Sequence, residues 1–206
     1  MIIAIDTSLG TSFALVDGDT ALIDHRGTDT RRHAETLGPL LQQAMEHRDR
    51  ITSVVVGMGP GAFTGLRVGI AAGESLATGL GVPCIGVCSH DAAGSRTQRE
   101  TIVTSDVRRR ERAWSLFRDG VRVDGPHLAG EDAVPQREGA VRLDVDSVDC
   151  VALAAASLTA EPQSSALYLR PADAVQPGPP KSVSSSKRSA PENAATAQQH
   201  TEGAAR

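Results

Sequence analysis

Short apolar runs separated by polar turns dominate the first half of the chain. Short apolar stretches bounded by Gly, Asp or Pro predict strands, and apolar positions at three- and four-residue spacing predict helices. The predicted strands cover residues 2–5, 12–17, 21–26, 54–56 and 83–87. The predicted helices cover residues 31–47, 64–80 and 91–95. This order indicates an α/β sheet that begins with an antiparallel meander.

The second half begins by repeating the plan of the first. Residues 101–123 predict a strand that ends at Asp106, a polar turn, and two strands joined by an Asp-Gly hairpin. The first strand of the chain likewise ends at Asp6 and precedes two strands joined at Asp17-Gly18. We interpret the recurrence as a duplicated α/β fold of the actin-like (ASKHA, ribonuclease H-like) type. A chance likeness between two common hairpins is the alternative.

The pattern weakens after Gly125. We expect one alanine-rich helix over residues 146–160 and a last short strand over 166–169. From Val175 onward Pro, Ser, Ala and Gln dominate without apolar periodicity, which predicts disorder. The predicted domains are therefore an N-terminal lobe over 1–97, a shortened C-terminal lobe over 98–175 and a disordered tail over 176–206.

Composition narrows the functional classes. The formal net charge is −4 and aromatic residues make up 2% of the chain, so a self-sufficient RNA-binding surface is not expected. Cys84, Cys88 and Cys150 lack the pattern of a disulfide framework and are interpreted as buried thiols of a reducing compartment. The sequence shows neither a signal peptide nor a membrane-spanning stretch, which predicts a cytoplasmic protein without membrane contact.

The loop after the first strand is a candidate phosphate site. Nucleotide-binding proteins of this architecture approach phosphate through a loop that contains Asp and is rich in Gly, Thr and Ser. A weak nucleotide or anion site is therefore predicted at Asp6, Thr7, Ser8 and Thr11. The corresponding turn of the second lobe, residues 106–111, contains three arginines and no glycine, and no glycine-rich adenosine segment follows Gly125. The arginines form either an anion site or a solvated turn.

Metal and nucleophile motifs are not found. No two histidines stand at helical i, i+3 or i+4 spacing, and the chain has no Cys-x-x-Cys and no Gly-x-Ser-x-Gly. We therefore expect no metal site and no catalytic residues.

The most specific motif is Gly57-Met-Gly-Pro-Gly-Ala-Phe-Thr-Gly-Leu-Arg-Val-Gly-Ile70. Glycines at a strand-to-helix turn are typical of phosphate loops. Here they continue into the helix, where each costs about 1 kcal/mol relative to alanine. They indicate a close approach by another backbone, either within the chain or from another subunit.

This motif, together with residues 4–8, 84–87, 106–117 and 167–171, resembles the TsaB (YeaZ) family. The resemblance implies an actin-like subunit of the bacterial machinery that makes threonylcarbamoyladenosine at position 37 of tRNA. It implies a non-catalytic scaffold with no intrinsic cofactor, ATP being used by the partner complex. The implied partners are a TsaD-like catalytic subunit, a TsaE-like ATPase, a second copy of the chain, and tRNA indirectly through the complex.

The resemblance also implies an interface on the helical face. Its predicted residues are His33, Leu37, Leu41, Gly59, Gly61, Phe63, Leu66, Arg67, Gly69, Ile70 and Gly73. About 50 residues separate Phe117 from Tyr168, fewer than the family usually has, so the second lobe is expected to be truncated. An actin-like ATP-dependent phosphotransferase or ATPase is the alternative function.

Overall fold

The computed structural model describes residues 1–169, which lie within one compact unit, Met1–Ala172. Two sheets form its framework, with strand orders β3-β2-β1-β4-β5 and β8-β7-β6-β9. The strands are β1 Ile2–Asp6, β2 Ser12–Asp17, β3 Thr20–Arg26, β4 Ser53–Gly57, β5 Cys84–Val87, β6 Thr101–Asp106, β7 Glu111–Arg118, β8 Val121–Gly130 and β9 Val141–Val145. The α-helices are α1 His33–Ala44, α2 Phe63–Leu80, α3 Asp91–Gly94 and α4 Cys150–Ala156, with 3₁₀ turns at Met45–Arg50 and Glu131–Ala133.

The central strands of the first sheet, β1, β2 and β4, are buried on both faces. Strands β1, β2 and β3 form an antiparallel meander, and β4 and β5 add parallel neighbours beyond β1. Because side chains alternate along a strand, Ile3 and Ile5 enter the core beneath α1 and α2, whereas Ala4 faces the core that contains Leu153 of α4. The sheet therefore separates two apolar layers, as in doubly covered α/β folds.

The second sheet repeats the connectivity of the first. Strands β6, β7 and β8 form an antiparallel meander, and β9 pairs parallel to β6 on the other side. The first sheet has a fifth strand, β5, at the place where the second sheet ends at β9. These two related sheets confirm the predicted fold class, an α/β duplication of the actin-like, ribonuclease H-like type.

Several predicted boundaries after residue 120 are wrong. Strand β8 is longer than residues 121–123 because its pairing with β7 continues past two register shifts to Gly130. Strand β9 was not predicted. Helix α4 begins only at Cys150, where the side chain of Asp149 caps the N–H of Ala152 at 3.0 Å. Residues 166–169 form no strand, although the N–H of Leu167 donates to Met58 at 2.7 Å.

Other predictions have mixed outcomes. Cys88 and Cys150 are buried free thiols, but Cys84 is exposed near the start of β5, so its predicted burial is wrong. No helix in the described part of the chain is long and apolar enough to span a membrane. The predicted tail over 176–206 lies outside the described residues. The division into lobes at residue 97 stays a prediction.

Candidate functional site

The carboxylate of Asp6 lies at the centre of a buried polar cluster between β1 and β4. One oxygen accepts hydrogen bonds from the backbone N–H and the hydroxyl of Ser8, at 2.7 and 2.6 Å. The other accepts from the Ser89 hydroxyl at 2.5 Å, whose oxygen accepts the N–H of Gly59 at 3.0 Å. Burial raises the pKa of Asp6, and the hydrogen bonds from Ser8 and Ser89 oppose that shift. The cluster fastens the first loop to the glycine motif.

The next residue of the loop, Thr7, joins the loop to α2. Its hydroxyl donates to the carbonyl of Gly65 at 2.7 Å and accepts the N–H of Gly69 at 2.9 Å. A helical i→i−4 hydrogen bond would join these same two backbone groups, so the hydroxyl is inserted at this turn of the helix. A Cβ at position 69 would overlap the Thr7 hydroxyl, which explains the glycine there.

Other glycines of the motif also make room for this chain itself. A Cβ at Gly61 would lie 2.6 Å from Cβ of Ser8, and one at Gly65 would lie 2.7 Å from the carbonyl oxygen of Thr7. A Cβ at Gly73 would strike the side chain of Val56 in β4. The interpretation that these glycines leave space for the helix of another subunit is therefore wrong at these positions, because the space is already filled from within.

A threonine–histidine pair closes the far end of the loop. Thr11 Oγ1 lies 2.9 Å from Nδ1 of His33, at the beginning of α1. Burial lowers the pKa of His33, and Nε2 of its ring has no hydrogen-bond partner among residues 1–169. His33 is therefore a buried neutral side chain.

These contacts bear on the predicted nucleotide or anion site. Asp6, Thr7, Ser8 and Thr11 are at most 3% exposed, and each side chain is hydrogen-bonded within the chain. Groups paired in this way offer no free donor to a phosphate without rearrangement. The geometry gives the loop a structural role, and the nucleotide site stays an unsupported prediction.

A cleft of about 510 Å³ separates this loop from the second sheet. Ser8 and Leu9 line one side, and the strand ends of β6 and β9 line the other. The charged side chains in its lining are Asp106, Asp144, Asp146, Arg108 and Arg112. Three carboxylates against two guanidinium groups make this lining unfavourable for a polyphosphate.

The arginine turn lies at the mouth of this cleft. Arg108, Arg109 and Arg110 have φ of 68°, 61° and 60°, in the left-handed region that residues other than glycine seldom occupy. The Arg108 guanidinium donates to the hydroxyl of Thr30 at 2.8 Å, and its backbone N–H donates to Asp106 at 2.7 Å. The arginines form a folded turn, which favours the interpretation of a solvated turn over that of an anion site.

An aromatic and cationic cluster is exposed at the start of α2. The ring centroids of Phe63 and Tyr168 lie 4.7 Å apart, and the Arg67 guanidinium carbon lies 4.9 Å from the Phe63 centroid. Phe63 is 37% and Tyr168 is 41% exposed. We call these three residues the aromatic cluster. Tyr168 was not predicted as a site residue, because its proximity to Phe63 depends on the path of the chain after α4.

The other predicted interface residues lie deeper. Leu41, Gly61 and Ile70 are half-buried. Six are buried in this chain: His33, Leu37, Gly59, Leu66, Gly69 and Gly73.

The sequence pattern did not predict the role of a second buried histidine, His90. His90 Nδ1 lies 2.9 Å from the Ser115 hydroxyl, and Nε2 lies 2.9 Å from the Ser105 hydroxyl. Burial, reinforced by Arg122, lowers the pKa of His90 to about 3, so the ring is neutral. This side chain joins the segment after β5 to strands β6 and β7. Separately, no group of three or more His, Cys, Asp or Glu side chains within residues 1–169 is arranged to hold a metal ion.

Comparisons with known proteins agree with this architecture. The family model for TsaD, tRNA N6-adenosine threonylcarbamoyltransferase, matches residues 28–133. Uncharacterized proteins of Mycobacterium leprae and Mycobacterium tuberculosis are 42% identical over 135 residues and 41% identical over 143 residues, covering 61% and 65% of this chain. The tRNA threonylcarbamoyladenosine biosynthesis protein TsaB of Escherichia coli is 32% identical over 90 residues, 42% of this chain.

The matched segment covers unequal shares of these relatives. It spans 38% of the M. leprae protein, 67% of the M. tuberculosis protein and 39% of E. coli TsaB. A crystal structure from Pseudomonas aeruginosa, described as similar to the peptidase YeaZ, aligns with a TM-score of 0.65 at 23% identity. The alignment covers 82% of this chain and 99% of that one. Taken together with the glycine motif, these similarities show that the chain belongs to the TsaB (YeaZ) family.

Proposed function

We propose that this chain is a non-catalytic subunit of the machinery that forms threonylcarbamoyladenosine in tRNA. The E. coli relative carries that pathway in its name, and the matching family model describes the threonylcarbamoyltransferase. The chain pairs with a TsaD-like catalytic subunit through the exposed end of α2. The exposed aromatic cluster, of which Phe63 and Arg67 lie within the most specific motif of the sequence, is the observation that carries this proposal.

The closed first loop supports a scaffold role over catalysis. In a nucleotide-handling relative of this fold the loop side chains must be free to meet phosphate. Here the side-chain oxygens of Asp6 are hydrogen-bonded to Ser8 and Ser89, and the Thr7 hydroxyl is hydrogen-bonded to the backbone of α2. The loop therefore stiffens the helix that carries the aromatic cluster.

The aromatic cluster has the chemistry of a protein-binding surface. Aromatic residues and arginine are enriched at the energetically dominant centres of interfaces. Phe63 and Tyr168 are large apolar side chains left partly in solvent, and Arg67 holds a cation against the Phe63 ring. Burying the two rings against a partner would remove apolar area from water, which favours association. The Arg67–Phe63 contact would strengthen as water leaves it, which offsets part of the cost of desolvating the guanidinium.

The remaining partners follow from the same proposal. A TsaE-like ATPase and tRNA would meet this chain within the complex, and ATP would be used by the partners. A second copy would compete with the TsaD-like subunit wherever both use the helical face. The proposed compartment is the cytoplasm.

Co-purification tests the contact. The full-length chain is co-expressed with a TsaD-like subunit, and recovery of the complex is compared for the native chain, Phe63→Asp and Leu22→Asp. Leu22 in β3 is 42% exposed, against 37% for Phe63, so the two changes place a carboxylate at equally open apolar sites. We expect Phe63→Asp to lose the complex and Leu22→Asp to retain it. Equal recovery of both variants in folded form would contradict the assigned surface.

The alternative, an actin-like ATPase or phosphotransferase, would hold its nucleotide in the cleft of about 510 Å³ between the first loop and the second sheet, although the acidic lining of that cleft disfavours a polyphosphate. Calorimetry with ATP and magnesium separates the two functions. If the chain is a scaffold, the isolated chain should not bind ATP tightly. An enzyme of this class should bind ATP without its partners.

A further inference from the structure

Helix α2 begins without a side-chain cap. Ala62 precedes it with φ of −67° and ψ of 131°, the extended conformation of an N-cap residue, but its methyl group accepts no hydrogen bond. The first helical hydrogen bond runs from the N–H of Leu66 to the carbonyl of Ala62 at 3.0 Å. The preceding N–H groups, of Phe63, Thr64 and Gly65, donate to no acceptor within residues 1–169. The positive end of this 18-residue helix is therefore left to an acceptor from outside.

A buried imidazole nitrogen faces the same turn of α2. Nε2 of His33 lies 3.2 Å from the position that a Cβ of Gly65 would take, and it has no hydrogen-bond partner among the described residues. His33 is only 7% exposed. When the Thr11 hydroxyl donates to Nδ1, 2.9 Å away, the neutral ring carries its proton on Nε2. An orphaned donor at this depth indicates that an acceptor belongs near the start of α2.

Helix α1 starts beside α2, at the same edge of the first sheet. Strands β1, β3 and β4 run in the same direction, and α1 and α2 follow the carboxyl ends of β3 and β4. The N-cap residue of α1, Arg32, makes no side-chain cap either. Two helix dipoles therefore direct their positive ends to one region, just outside the strand ends where ligands of α/β sheets commonly bind.

The charged side chains at these two helix ends leave one cation in excess. Arg31 Nε lies 3.9 Å from a carboxylate oxygen of Asp29. Arg32 Nε lies 2.6 Å from a carboxylate oxygen of Glu35, so these four charges balance. Arg67, near the start of α2, forms no ion pair with any residue in the described part of the chain. A carboxylate placed at the N-terminus of α2 would supply the missing counter-charge through a charge-assisted hydrogen bond.

The neighbouring cleft limits the charge of a ligand at this position. Ala62 lines that cleft together with Asp106, Asp144 and Asp146. Their negative charges would repel a phosphate dianion more than a carboxylate, which carries a single charge. The aromatic cluster, where we propose the protein contact, adjoins the same end of α2. The region therefore suits an acidic side chain of a protein better than a nucleotide.

We propose that an Asp or Glu side chain of the TsaD-like subunit binds at the start of α2. Its carboxylate accepts hydrogen bonds from the N–H groups of Phe63 and Thr64 and pairs with Arg67. The donor of His33 keeps the inner side of the same turn electropositive. This contact rests on the proposed function and adds the partner's chemistry, a carboxylate beside the apolar surface that meets the aromatic cluster.

Ala62→Asp tests the site because it supplies the missing cap from the chain itself. Its carboxylate would accept the same N–H groups, so the isolated variant should melt about 2–4 °C above the native chain. It would also exclude and repel the partner's carboxylate, so affinity for the TsaD-like subunit, measured by calorimetry, should fall about tenfold or more. A variant that gains stability while it loses affinity does not owe the loss to misfolding.

Further variants control for the added charge. Gly130→Asp places an aspartate before the 3₁₀ turn Glu131–Ala133, where an added Cβ meets no atom within 4 Å, and should leave the affinity unchanged. Arg67→Gln should weaken the complex about tenfold and flatten its dependence on chloride concentration. Arg67→Lys keeps the charge and should retain that dependence.

The possible outcomes separate this contact from the proposed function. Failure of the native chain to bind the TsaD-like subunit would overturn both. A native complex that Ala62→Asp forms equally well would overturn the carboxylate contact alone. Inorganic phosphate is the last probe, and at constant ionic strength it should weaken the complex by competing for the N–H groups. A complex that phosphate strengthens would assign the site to a phosphate and overturn the proposal.

Discussion

The hydroxyl of Thr7 accepts the N–H of Gly69 at 2.9 Å, across 62 positions of sequence. This contact ties the first loop to the middle of α2 and accounts for a glycine that would otherwise weaken the helix. The most specific motif of the chain is therefore first a device for internal packing. Its exposed residues, Phe63, Thr64 and Arg67, lie at the start of α2, the surface that we propose for a partner.

Alanine substitutions in α2 test this packing. Gly69→Ala should lower the free energy of unfolding by about 1–3 kcal/mol, because its Cβ would overlap the Thr7 hydroxyl. Gly79 has no atom within 4 Å of its added Cβ, so Gly79→Ala should instead raise stability by about 0.5–1 kcal/mol. Urea denaturation measures both. A stabilising Gly69→Ala would refute the packing role, and its cost should shrink when Thr7→Ala is also present.

The stability of the chain should depend on His90 below neutral pH. The pKa of His90 is about 3 in the folded chain and about 6.5 when unfolded, so protonation favours the unfolded state. Above pH 6.5 the buried His90 does not lower the free energy of unfolding. Between pH 6.5 and 3 that free energy falls by up to about 1.4 kcal/mol per pH unit as the pH is lowered.

His90→Gln isolates this effect from the carboxyl groups. Glutamine keeps a donor and an acceptor near Ser105 and Ser115 but does not titrate. The difference in unfolding free energy between the native chain and the variant should narrow as the pH falls from 6.5 towards 3. A difference that is constant with pH would show that His90 titrates normally.

Thiol reactivity should distinguish the three cysteines. Cys84 is exposed, although partial burial and the nearby Glu74 raise its thiol pKa. Full burial raises the pKa of Cys88 to about 12 and that of Cys150 well above its usual value, and it also keeps reagents away from both thiols. Because the thiolate is the reactive form, one thiol per native chain should react with a disulfide reagent, and all three should react in denaturant. Fast reaction of a second thiol in the native chain would contradict the described burial.

Most of the first sheet could be predicted from the sequence because β1, β2 and β4 are apolar runs bounded by Gly or Asp, and the Asp17-Gly18 turn indicates β3. Strand β9 could not, since Arg142 and Asp144 interrupt the apolar pattern and its pairing with β6 is a long-range choice. Helix α4 was predicted too long because the helical apolar spacing from Val148 to Leu158 extends past both of its ends, Cys150 and Ala156.

The candidate site was predicted less well than the fold. The sequence indicated that something approaches the glycines of α2, but not that Thr7 and Val56 of the same chain fill that space. The buried role of His90 was also hidden, because Ser105 and Ser115 lie 15 and 25 positions away. Polar residues separated in this way meet only through the tertiary fold, which a linear pattern does not encode.

The most direct test of the central claim is the threonylcarbamoyladenosine content of tRNA, measured by mass spectrometry of digested nucleosides. The full-length chain is supplied to bacteria depleted of their own TsaB, together with its cognate TsaD-like subunit. We expect the native chain and Leu22→Asp to restore the modified nucleoside, and Phe63→Asp to leave it depleted. Failure of the folded native chain to restore modification beside its cognate partner would contradict the proposed function.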